Sequence, residues 1–145
     1  MFDPEDFAKL TVRLVQNPCG SADSRTAVSR AYYAAFLYAK TPHDPHFHFS
    51  GEGKVHTEIR FLFVNSTREE LKNIGQQLDE LRGKRNAADY DLAAEDVNSY
   101  HNARLHVAIS MRVIEKLKQV FSSAWSSIVK EMEEYARKSQ VVRCR

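Results

Sequence analysis

From about Glu95 to Tyr135 one apolar stripe runs without a strand-like break. Val97, Tyr100, Leu105, Ala108, Ile109, Val113, Ile114, Leu117 and Val120 recur at helical spacing over seven turns. Phe121, Trp125, Ile128, Val129, Met132 and Tyr135 carry the stripe on, and the serines between 122 and 127 mark a bend or break. A helix of that length with so broad an apolar face must be covered by other elements. Alternating strand patterns are hard to find anywhere in the chain, so the cover is helical. The sequence therefore predicts an all-α protein, an up-and-down bundle of four or five helices.

The remaining segments fit that frame. Asp3-Pro4-Glu5-Asp6 places a capping side chain, a proline and two acids at a helix start, and Phe7, Leu10, Leu14 and Val15 share a face. This first helix spans about 4–16 and ends at Asn17-Pro18-Cys19-Gly20. A second runs from about Asp23 to Lys40, where Ala27, Ala31, Ala34 and Ala35 among large aromatics suggest close helix approach, or contact with a partner subunit. Residues 41–53, with two prolines and two glycines, read as a long loop. A third helix begins near Lys54 and breaks at Asn65-Ser66-Thr67. Thr67 and Glu70 have capping-box spacing and restart a helix through Leu71, Ile74, Leu78 and Leu81, ending around Gly83 or after a short continuation. One domain over 1–136 and a basic, frayed tail over 137–145 follow.

Charge and cysteine content narrow the function classes. Twenty-one Lys and Arg face nineteen Asp and Glu, and four of the basic residues lie in the last nine positions. A protein-wide basic field for duplex DNA is absent, so any nucleic-acid contact needs a local patch. Cys19 and Cys144 form no CxxC pair and read as free thiols of a reducing compartment. No apolar run approaches membrane-spanning length, and the acidic first residues do not resemble a signal peptide. These features predict a cytoplasmic protein without a membrane contact.

Two clusters can carry chemistry. His43, His46 and His48 fall in one loop, HDPHFH, beside Asp44. Their spacing fixes no coordination geometry, so the loop reads as solvated, with metal binding or substrate contact as the alternatives. No metal or cofactor is expected. His56 stands better placed, because Ser50, Gly51, Gly53 and Lys54 beside it offer backbone donors and a cation to a phosphate. His101 and His106 read as capping or surface residues. The densest polar run is Arg82 to Asp91, RGKRNAADYD. Arg82 and Arg85 share a face if the turn is helical, and two guanidinium groups there can grip a phosphate. Asp89 or Asp91 could equally pair with them and close the site.

Three blocks resemble the HEPN family of small helical domains: Ser29-Arg30-Ala31-Tyr32-Tyr33-Ala34-Ala35-Phe36, Gly53-Lys54-Val55-His56, and Leu81-Arg82-x-Lys84-Arg85-Asn86-x-x-Asp89-Tyr90. The similarity spans roughly residues 5–120. It implies a helical bundle, usually a homodimer whose cleft faces the loop and junction residues. Many such domains are metal-independent endoribonucleases of toxin–antitoxin or defence modules, often paired with a nucleotidyltransferase-fold antitoxin. Their motif is an Arg, a polar residue, then a His after four to six intervening residues. Arg85 and Asn86 match its first half; the positions for the His hold Tyr90, Asp91 and Leu92. In RNA cleavage a base takes the 2′-hydroxyl proton, an acid protonates the leaving oxygen, and cations hold the phosphorane. The resemblance thus implies catalytic roles for Arg85, Asn86 and Tyr90, with His56 supplying the missing imidazole and Arg82, Lys84, Lys54 and Arg30 binding RNA phosphate. The product would be a 2′,3′-cyclic phosphate. A tyrosine titrates near 10 and is a poor base. A non-catalytic domain that binds nucleotide or RNA, or scaffolds a partner, explains that substitution directly. Nucleotide transfer onto Tyr90 by the partner is a third reading.

Overall fold

A computed structural model describes residues 1–17, 20–51 and 53–145. Pro18, Cys19 and Glu52 lie outside the described residues, and with them the expected Cys19 thiol and part of the Gly51–Lys54 turn. The architecture is an all-α bundle. Its helices are α1 (Pro4–Gln16), α2 (Ser21–Lys40), α3 (Lys54–Val64), α4 (Glu69–Tyr90) and α5 (Tyr100–Ser139). Among the described residues, no helix is long and apolar enough to cross a membrane.

Helix α1 starts as its sequence dictates: Asp3 Oδ1 accepts a bond from the Glu5 amide at 2.9 Å, and Pro4 needs no partner for a missing N–H. Helix α2 is the central element, packed against α1, α4 and α5. Ala27, Ala31, Ala34, Ala35 and Ala39 are all fully buried, so its small residues serve close packing inside one bundle. The expected partner contact on that face is therefore corrected. Ala31 even supplies a carbonyl to Ser110 Oγ at 2.6 Å. A main core gathers Tyr32, Phe36, Phe63, Ile74, Leu117 and Ile128, and a smaller one joins Val15, Val28, Val97 and Val107.

Three boundaries differ from the sequence reading. Thr67 does not cap α4; its amide and Oγ1 donate to Glu131 Oε1 at 2.6 and 3.0 Å, and Arg68 is the residue at the cap. Helix α4 does not end at Gly83 but continues to Tyr90. The side chain of Arg25 holds that end. Its Nη1 donates to the carbonyls of Ala87, Ala88 and Asp91 at 3.3, 3.0 and 3.0 Å, and its Nη2 to Ala94 at 3.0 Å. Its Nε reaches Asn98 Oδ1 at 2.6 Å. A cation thus sits at the negative end of the helix, where the last carbonyls lack intrahelical donors. The tail is not frayed either. Strand β1 (Phe47–His48) pairs antiparallel with β2 (Arg143–Cys144), Phe47 opposite Cys144. Arg145 Nε donates to the carbonyls of Asp44 and Phe47 at 2.7 and 3.1 Å. Helix α5 bends at Ala124 (φ −145°, ψ 21°), within the serine-rich stretch, and this turns its C-terminal part toward residues 41–48.

Helices α3 and α4 meet at Gly75. A Cβ there would lie 2.8 Å from Val64 Cγ1, 2.9 Å from Phe63 Cβ and 3.0 Å from the Val64 amide nitrogen. Gly75→Ala gains about 1 kcal/mol of helix propensity but forces the two helices apart, an overpacking cost of about 1–3 kcal/mol. Urea unfolding should show a net loss of about 1 kcal/mol. An unchanged or raised midpoint would show that the pair relaxes freely.

Candidate functional site

Because α4 is helical through Tyr90, the polar run 82–90 lies on a rod and not at a junction. Successive residues turn by about 100°, so Arg85 and Asp89 share a face with Arg82 at its edge, while Tyr90 lies about 140° round the helix from Arg85. The Arg85 face packs on α2. Arg85 is only 7% exposed, its guanidinium carbon 5.5 Å from the Tyr32 ring centre and 5.1 Å from that of Tyr33. Its Nη1 stands 3.9 Å from Asp89 Oδ2, so Asp89 is the acid that pairs with it. Asp89 also accepts from Ser29 Oγ at 3.1 Å, and Ser29 Oγ accepts from Arg30 Nη2 at 3.2 Å. Arg30 lies 4.8 Å from the Tyr33 ring centre and 5.2 Å from that of Phe7. Two guanidinium groups therefore share the electron-rich ring of Tyr33.

Helix α3 brings His56 to the same place. The Tyr32 hydroxyl lies 2.5 Å from His56 Nδ1, and the Phe36 ring centre is 4.2 Å from that of the imidazole. Arg82 Nη1 donates to Thr57 Oγ1 at 3.4 Å, one residue along α3. Burial, with the charges of Arg82 and Arg85, lowers the His56 pKa to about 4, so the ring is neutral at neutral pH. Burial raises the Tyr32 pKa, although the same two arginines oppose it, and the phenol keeps its proton. Tyr32, Phe36, His56, Arg60, Asp79 and Arg82 line a cleft of about 10 Å³, room for about one oxygen-sized atom. The Nε atoms of Arg82 and Arg85 are buried with no hydrogen-bond partner among the described residues. The cluster is thus rich in donors and short of acceptors, which suits an oxyanion.

The other candidate residues do not converge there. Tyr90 is 76% exposed, and Asn86 is exposed on the outer face of α4. Lys84 pairs instead with Asp96 at 2.7 Å, and Lys54 is exposed at the start of α3. Sequence reasoning gave Tyr32, Tyr33 and Ser29 no role. The spacing offered a partial signal: Tyr33 follows Ser29 by four residues and Arg30 by three, so these three neighbour one another on α2, whereas Tyr32 lies on the side away from Arg30. The loop histidines divide. His43 is fully buried rather than solvated, its Nδ1 at 2.7 Å from the Ala39 carbonyl and its Nε2 at 3.2 Å from Met132 Sδ. His46 faces Glu133 at 3.4 Å, and His48 is exposed. Among the described residues no three His, Cys, Asp or Glu gather as metal ligands. His106 is buried and not a surface residue.

Comparison with family models, curated proteins and solved structures finds no match to this chain.

Proposed function

We propose that this chain is a HEPN-like cytoplasmic domain that binds the phosphate of an RNA or nucleotide without cleaving it. The observation that carries the reading is the burial of Arg85 against Tyr32, Tyr33 and Asp89. Cleavage needs a guanidinium and a proton-transfer group presented together to one ribose phosphate. Here the guanidinium is sequestered while Tyr90, at the motif position, stands in solvent on another face. Half-exposed Arg30 and Arg82 remain to meet a ligand, with Tyr33 and His56 between α2 and α3. A homodimer and a nucleotidyltransferase-fold antitoxin are the proposed partners. The exposed Leu105 and Met111 on α5 support an interface for the first of them.

A second reading, metal-independent endoribonuclease of a toxin–antitoxin or defence module, draws on the neutral imidazole of His56 beside Arg82 and Arg85. One experiment separates the two. Short single-stranded RNA is titrated by fluorescence anisotropy and analysed for 2′,3′-cyclic ends, using the wild type, Arg30→Ala, Arg82→Ala and Arg85→Ala. Expected are salt-sensitive binding, a loss of about tenfold for Arg30→Ala and Arg82→Ala, and equal background cleavage throughout. Cleavage present in the wild type and abolished in Arg85→Ala overturns the binding reading and installs the nuclease.

A further inference from the structure

The two ring nitrogens of His56 have different neighbours, and the phenol beside one of them decides which nitrogen carries the proton. Tyr32 is 2% exposed, and its hydroxyl meets only Nδ1 of His56 among the described residues. Were Nδ1 to hold the hydrogen, the buried hydroxyl proton would have no acceptor, which is a costly state. The phenol therefore donates, Nδ1 accepts, and the one proton of the neutral ring sits on Nε2.

We infer that Tyr32 locks His56 in its Nε2–H tautomer, so that His56 serves the site as a neutral hydrogen-bond donor and not as a base. As regards the ligand, this rests on the phosphate-binding reading above. The charged and titratable groups around the ring agree with it. From α4, Arg82 and Arg85 oppose a positive imidazole, and Asp79 lines the same cleft; from α3 comes Arg60; from α2, Tyr32 and Tyr33. Nε2–H adds a donor beside the unpartnered Nε of Arg82, and the one carboxylate lining the cleft, Asp79, is already paired with Arg60 at 3.1 Å. The ligand that fits is acceptor-only, an oxyanion such as a phosphodiester. Nδ1 is already occupied and Nε2 already protonated, so neither nitrogen is free to take a ribose hydroxyl proton. Tyr32 is a positioning residue, acting through His56.

The test is long-range proton–nitrogen correlation spectroscopy on the full, ligand-free chain, with His56→Gln to assign the signals. The expected spectrum shows an unprotonated Nδ1 and a protonated Nε2, unchanged from about pH 5.5 to 8. A protonated Nδ1, or two averaged nitrogens, overturns the inference. Tyr32→Phe should give the averaged pair; retention of the fixed pattern would show that Tyr32 does not set it. Binding is then read with dimethyl phosphate, a monoanion throughout that range. His56→Gln keeps a side-chain N–H donor and should bind within about threefold of wild type, whereas His56→Ala should lose about tenfold. Equal losses in both variants overturn the donor role. If no protein binds the probe while the spectrum is as expected, the tautomer assignment stands and the phosphate reading falls.

Discussion

Arg25→Met should destabilise the protein by about 3 kcal/mol, because several charge-assisted bonds vanish at once and are not additive. The variant keeps most of the aliphatic stem but leaves the carbonyls of Ala87, Ala88, Asp91 and Ala94 without their shared donor. For a chain of this size the melting temperature should fall by roughly 10 °C. Amide exchange should rise first at the end of α4, which carries Asp89 of the candidate site. Arg25→Lys should recover less than half of the loss, since an ammonium cannot span Asn98 and four carbonyls as a planar fork does. A Met variant within about 0.5 kcal/mol of wild type would mean that water replaces the clamp at no cost.

The second large effect depends on pH. His43 is fully buried among Phe63, Phe121 and Trp125, whose ring centres lie 5.6, 5.7 and 5.1 Å away. Burial lowers its pKa from 6.5 to about 4, the bond to the Ala39 carbonyl only partly offsetting it. His46 lowers it further and Asp44 raises it. The unfolded chain takes up a proton below about pH 6.5 and the folded one does not until about 4, so stability falls as pH drops between them. The loss at pH 4.5 relative to pH 7.5 amounts to about 2.5 kcal/mol from this ring. Urea melts of wild type and His43→Leu at the two pH values should differ in their pH response by that amount. His56 remains in both proteins and cancels. Parallel responses would place the acid sensitivity elsewhere.

Helix boundaries were legible wherever the signal was local. Asp3-Pro4 and the Gly53-Lys54 start stand where the pattern put them, and the bend expected among the serines falls at Ala124. The misreadings share one cause. Gly83 costs a helix about 1 kcal/mol, a small penalty beside Arg25 capping the end from 62 or more residues away. Thr67 has capping-box spacing with Glu70, yet it bonds to Glu131, 64 residues on. In the site, the shared face of Arg82 and Arg85 could be read from their spacing. That this face lies beneath Tyr32 and Tyr33 could not, because it depends on how α2 docks against α4. The same holds for Tyr32 and His56, 24 residues apart on different helices.

The pairing of β1 with β2 has a kinetic consequence. Arg145 bonds across 101 residues to Asp44 and 98 to Phe47, so these contacts close a ring around nearly the whole chain. Such a closure gains nothing until the intervening rods have already assembled. Loop-closure entropy therefore places this latch late in folding, and it holds down the segment that carries His43.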